Sequence, residues 1–91
     1  MFKKYISKPV IKEAIKLTRN YAEQVVDFIG KSNIKGYNLG DFSEDSCYID
    51  IMTMEGIITA SEGDYIIKEL DGEFYLCKSD IFENSYEEIK E

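Results

Sequence analysis

The stretch CYIDIMTMEGIITASEGDYIIKELDGEFYLC, residues 47–77, decides the fold. Cys47, Ile49, Ile51 and Thr53 alternate with Tyr48, Asp50, Met52 and Met54, and side chains that alternate point to opposite faces of an extended chain. Glu55-Gly56 makes a tight connection into a second strand, Ile57 to Ser61. Glu62-Gly63 marks another turn and Tyr65 to Glu69 another strand. Asp71-Gly72 is the strongest hairpin signal, expected as a type I′ turn with positive φ at Gly72, and Glu73 to Cys77 is its return strand. The centre of the chain therefore reads as an antiparallel meander.

Working outward, Lys8 to Leu17 places Ile11, Ile15 and Leu17 on one face of a first strand, with Pro9 tolerated at an edge. Asn20 is the expected N-cap of a helix over Tyr21 to Ile29, with Glu23 in the capping-box position. Ala22, Val25, Val26 and Ile29 form its apolar stripe, and Gly30 stops it. Ser32 to Ser46 is rich in turn formers and holds one short strand around Ile34 to Tyr37. Beyond the meander, Ser79 opens a short helical turn through Asp80, Ile81 and Phe82, and Tyr86 to Glu91 is a closing strand or a frayed acidic end. The fold class is α+β: one amphipathic helix packed on a bent antiparallel sheet or a small partly open barrel of about five strands.

A chain of 91 residues has room for one domain, 1–91, and one modest core. With 44% apolar and 32% charged residues, it has the composition of a folded protein and not of a disordered tail. Its charge is divided unevenly. Met1 to Gly40 carries eight Lys or Arg against three acids, whereas Asp41 to Glu91 carries fifteen acids against three Lys, giving −7 overall. That field opposes nucleic acid and anionic membrane and favours a basic partner or plain solubility. No apolar run approaches the roughly 20 residues of a membrane span. The basic start, Met1-Phe2-Lys3-Lys4, lacks a following apolar stretch, so no secretory signal is expected.

The chain contains no histidine, and its two cysteines, Cys47 and Cys77, are far apart in sequence. No transition-metal site, cofactor site or Cys–His nucleophile is expected from such a set. Reduced thiols in strands are the leading reading of the cysteines, with a disulfide between neighbouring strands as the alternative. Glu62 with Asp64, or Asp71 with Glu73, offers paired carboxylates, but both pairs flank glycine turns where acids are solvated, so no catalytic residue is assigned. Asp41-Phe42-Ser43-Glu44-Asp45 lacks the central glycine and closing glutamate of a calcium loop. Lys3, Lys4, Lys8, Lys12, Lys16 and Arg19 read as a solvated face paired to the acidic half.

Several segments look familiar together. Gly63-Asp64-Tyr65-Ile66-Ile67-Lys68, Asp71-Gly72-Glu73-Phe74-Tyr75-Leu76-Cys77-Lys78, Asp80-Ile81-Phe82-Glu83 and Tyr86-Glu87 resemble the C-terminal signature of a family of small proteins encoded by phages and prophages of Gram-positive bacteria. Lys8-Pro9-Val10, Glu13-Ala14 and Met54-Glu55-Gly56 are similar to that family's opening and central hairpin. Leu76 and Ser79 stand where family members often carry proline. The resemblance implies a phage gene product acting in a bacterial cytoplasm, and leaves its activity open.

Size, acidity and that implied origin lead to a non-enzymatic inhibitor of a bacterial host protein with a basic surface. A defence component such as a CRISPR effector is the leading candidate. Its expected contact residues are Asp41, Glu44, Asp45, Asp50, Glu62, Asp64, Asp71, Glu73, Glu83, Glu87 and Glu88. Exposed tyrosines among carboxylates, Tyr75 included, would add contact area, and the sheet face around Tyr48, Met52 and Met54 is the fallback interface. The rival reading is a virion or assembly accessory protein that self-associates, for instance as a homodimer.

Overall fold

A computed structural model describes residues 1–5, 10–39 and 47–89. Along these residues run β1 (Glu13–Lys16), α1 (Ala22–Ile29), β2 (Ile34–Leu39), β3 (Cys47–Thr53), β4 (Gly56–Ser61), β5 (Tyr65–Lys68), β6 (Phe74–Cys77) and α2 (Ser79–Ser85). The α+β class holds. In place of one bent sheet there are two three-stranded antiparallel sheets, ordered β1-β5-β6 and β2-β3-β4, and they do not close into a barrel. The expectation of a single helix also gives way, because the short turn foreseen after Ser79 extends to Ser85 as α2.

Alternation builds the core as read. Cys47, Ile49 and Ile51 of β3 are buried, while Tyr48 and Asp50 are half-buried and Met52 is exposed on the other face. Ala60 of β4, Ile66 of β5, Phe74 of β6, Leu17 after β1, and Val25 and Ile29 of α1 join the same cluster. The helix thus closes the space between the sheets with a two-residue buried stripe. Removing a fully buried side chain here, as in Ile49→Ala, costs about 2–5 kcal/mol through lost transfer energy and the cavity left behind.

Three local expectations change. The segment before α1 is a 3-10 turn, Arg19–Tyr21, so Asn20 lies inside a turn, and the helix starts after Tyr21 with no side-chain cap. β1 begins only at Glu13, which leaves Ile11 exposed, while Lys8 and Pro9 lie outside the described residues. The tail is not a closing strand: residues 86–89 are irregular and exposed, and 90–91 lie outside the described residues.

The β5–β6 turn differs in type as well. Gly72 donates its backbone N–H to the Glu69 carbonyl at 2.9 Å and has φ 87, as expected. No described residue other than glycine has positive φ, so Asp71 rules out type I′. The loop Leu70-Asp71-Gly72 is instead the three-residue kind, a turn at negative φ closed by a left-handed glycine.

Candidate functional site

The β3–β4 and β5–β6 hairpin tips lie side by side and form one hairpin end. At the β3–β4 tip, the Thr53 hydroxyl donates to the Gly56 carbonyl at 2.7 Å and accepts from the Glu55 N–H at 3.2 Å, which fixes the turn from within. At the β5–β6 tip, the Asp71 carboxylate accepts the Glu73 N–H at 2.9 Å. The Glu73 carboxylate then accepts the Met54 N–H at 3.0 Å and couples one tip to the other.

Between the tips stands Tyr75 of β6, whose ring is exposed. Its hydroxyl pKa is pushed above the ordinary value, first by partial burial and then by the fields of Asp71, Glu55, Glu69 and Glu73. Of these four acids, Glu69 is held by the Lys12 ammonium at 2.9 Å. Met54 and Leu70 cap the two turns with nearly full exposure, 90% and 89%. A shallow recess of about 130 Å³ behind the tips is lined in part by Thr53, Ile58, Phe74 and Leu76. An anionic rim around an amphipathic ring and two apolar tips can desolvate against a basic protein surface while the charges steer the encounter.

The expected contact acids do not form one patch. Asp71 and Glu73 sit at this end. Asp50 is half-buried on the outer face of β3 and accepts the Thr59 hydroxyl at 2.6 Å. Glu62 pairs with Arg19 at 3.5 Å. Glu83, Glu87 and Glu88 line a separate groove under α2 and the tail. Asp41, Glu44 and Asp45 lie outside the described residues.

Asp64 is a correction, because it was expected to be solvent-exposed beside its glycine and is only 6% exposed. One carboxylate oxygen accepts the Ser61 N–H at 3.0 Å and the other meets the Lys78 ammonium at 3.2 Å. Its backbone carbonyl accepts the Leu17 N–H at 2.8 Å, and Gly63 donates to the Leu17 carbonyl at 2.8 Å. Asp64 therefore ties β1 to the β4–β5 turn and presents no free anionic surface.

Met54 is a second correction, since it occupies a turn and does not share the sheet face of Tyr48 and Met52. Glu55, Glu69 and Leu70 are the additions. Their signal was available, because each borders one of the two turns already marked by Glu55-Gly56 and Asp71-Gly72.

Both cysteines are free thiols, Cys47 buried in the core and Cys77 only half-buried on the outer side of β6. Among the described residues, no three His, Cys, Asp or Glu side chains converge to hold a metal ion. None of the described helices is long and apolar enough to cross a membrane. Comparison with known proteins finds no matching family model, no matching curated protein and no matching solved structure.

Proposed function

We propose that this chain is a non-enzymatic binding protein whose acidic hairpin end engages a basic surface of another protein. The observation that supports this most is the grouping of Glu55, Asp71 and Glu73 around exposed Tyr75, with Met54 and Leu70 standing clear of the body. Such a site supplies apolar and aromatic area at its centre and charge at its rim, the usual division of labour in a protein interface. From the resemblance to small phage and prophage proteins we take the partner to be a bacterial host protein in the cytoplasm, and a cationic nucleic-acid channel of a defence enzyme such as a CRISPR effector is the surface best matched in charge.

The test is capture from a bacterial lysate with the native chain and with a Glu55→Lys/Asp71→Lys variant whose melting curve shows that it is folded. Capture of a basic protein should fall by more than tenfold for the variant. It should fall again for the native chain at roughly 0.5 M salt, where the Debye length is about 4 Å. Equal capture by variant and native chain at both salt concentrations would overturn the assignment. The rival reading, a self-associating assembly protein, draws its support from another part of the molecule, the exposed residues Met1–Tyr5.

A further inference from the structure

Met1–Tyr5 are all exposed, and Phe2 and Tyr5 are each 89% exposed. Two aromatic rings flanking Lys3 and Lys4 are costly to leave in water, since each offers roughly 150–250 Å² of area to bury.

The molecule also carries a receptacle of opposite character. A groove of about 770 Å³ runs along the outer side of β1, beneath α2 and the tail. Its aromatic wall is a three-ring stack: Tyr65 lies 3.9 Å from Phe82, and Phe82 lies 4.6 Å from Tyr86, centre to centre. Ile11 and Ile89 extend the apolar lining, and Glu13, Glu83, Glu87 and Glu88 supply the charge. Lys12, the cation among its described lining residues, is already paired with Glu69 at 2.9 Å. The wall accepts lysine elsewhere along its length, because the Lys16 ammonium stands 5.8 Å from the centre of the Tyr65 ring.

We infer that Met1–Tyr5 of one copy of this chain lie in this groove of a second copy, reciprocally, so that two chains close a two-fold pair. Lys3 and Lys4 meet Glu83, Glu87 and Glu88, and Phe2 and Tyr5 pack against the Tyr65-Phe82-Tyr86 stack. Reciprocity matters, because an arm given without one received would propagate chains instead of closing. Phe2 and Tyr5 of both arms, with the groove surface they cover, bury about 1,200–2,000 Å² in total, which is the range of a stable specific interface. The arm of the same chain does not fill its own groove, since its residues are exposed. This pairing is independent of the hairpin end, which stays open in the dimer.

The experiment is sedimentation equilibrium of the full chain from roughly 1 to 500 μM. The expected result is a dimer that becomes a monomer, with an unchanged circular dichroism spectrum, when residues 1–5 are removed. Lys3→Glu/Lys4→Glu and Glu87→Lys/Glu88→Lys should each weaken association by more than tenfold, because each places like charges in both contacts. Mixed in equal amounts, these two variants should form a heterodimer, because every acidic arm then faces a basic groove and every basic arm an acidic one. A native chain that stays monomeric at 500 μM overturns the inference. So does a dimer that survives loss of residues 1–5, or a mixture that fails to pair. The Glu55→Lys/Asp71→Lys variant should dimerise like the native chain, so a failed partner capture and a failed self-association are told apart.

Discussion

Glu73 precedes β6 and Met54 sits in the β3–β4 turn, nineteen positions away, yet the carboxylate of the first accepts the backbone N–H of the second at 3.0 Å. The bond holds the two hairpin tips in a fixed relation around Tyr75. Glu73→Ala should cost about 1 kcal/mol, the ordinary net worth of one hydrogen bond, while Glu73→Gln keeps an acceptor and loses less. Hydrogen exchange at the Met54 amide reads the change directly. Unchanged protection in Glu73→Ala would show that the tips are held by other means.

Asp64 should matter more than its neighbours in the acidic half. Asp64→Ala removes the carboxylate that the part-buried Ser61 N–H donates to, at a cost of about 1.5–3 kcal/mol, the worth of a hydrogen bond to a charged group. Lys78→Ala should lose well under about 1 kcal/mol, because the ammonium is largely in water and the ion pair is screened. Urea denaturation of both variants checks the order, and equal losses would contradict the division of labour drawn from their exposure.

Two glycines should respond in opposite ways. Gly72 has φ 87 with open space where a side chain would go, so Gly72→Val is penalised by backbone strain alone, at about 1–3 kcal/mol. Gly36 has no positive φ, and its nearest neighbour to a new Cβ, an Asp50 oxygen, is 4.0 Å away. Gly36→Ala should therefore be neutral or slightly stabilising. Melting temperatures of the two variants decide the matter, and a harmless Gly72→Val would contradict a left-handed backbone at this turn.

Alkaline pH should destabilise the protein through groups that lose their protons later in the folded chain than in the unfolded one. Burial pushes the Cys47 thiol above its ordinary 9.0, with Glu62 adding to the effect and Arg19 opposing it. Burial first, and nearby carboxylates second, push Tyr65 and Tyr75 above their ordinary 10.0. From about pH 9 upward, the unfolded chain has released protons that the folded chain still holds, so stability falls as pH rises. Lys12 acts differently. Its hydrogen bond to Glu69 raises it above 10.5, so its contribution is complete below that value and is lost only beyond it. The melting temperature should be level between about pH 7 and 8.5 and decline above 9, and a thiol reagent should modify Cys77 faster than Cys47. A level melting temperature up to pH 10.5 would refute this.

The strands of residues 47–77 were legible because period-2 alternation and glycine turns are local signals, and Cys47, Ile49 and Ile51 indeed face the core. The division into two sheets was not, since it depends on β1 choosing β5 as its neighbour across most of the chain. Asp64 looked like a solvated turn acid for the same reason: the groups that enclose it, Leu17, Ser61 and Lys78, gather only on folding. Asn20 has the right side chain for a cap, but the tighter turn at Arg19–Tyr21 displaces it from the capping position. At the candidate site, Asp71 and Glu73 could be named from their turn, whereas Glu55 joins them only because the tips of two separate sheets meet.

The pairing of β1 with β5 has a kinetic consequence. β2, β3 and β4 are sequence neighbours, and so are β5 and β6, so each set closes through short loops. Joining Ile15 to Ile66 closes a loop of about fifty residues, whose entropy must be met before the contact gives anything back. The β2-β3-β4 meander and the β5–β6 hairpin should therefore be structured in the folding transition state, and β1 should dock afterwards. Ile15→Val should then speed unfolding while leaving the folding rate nearly unchanged, and Ile49→Val should slow folding. The strand that follows the basic arm is thus the last to be secured and the first to be released.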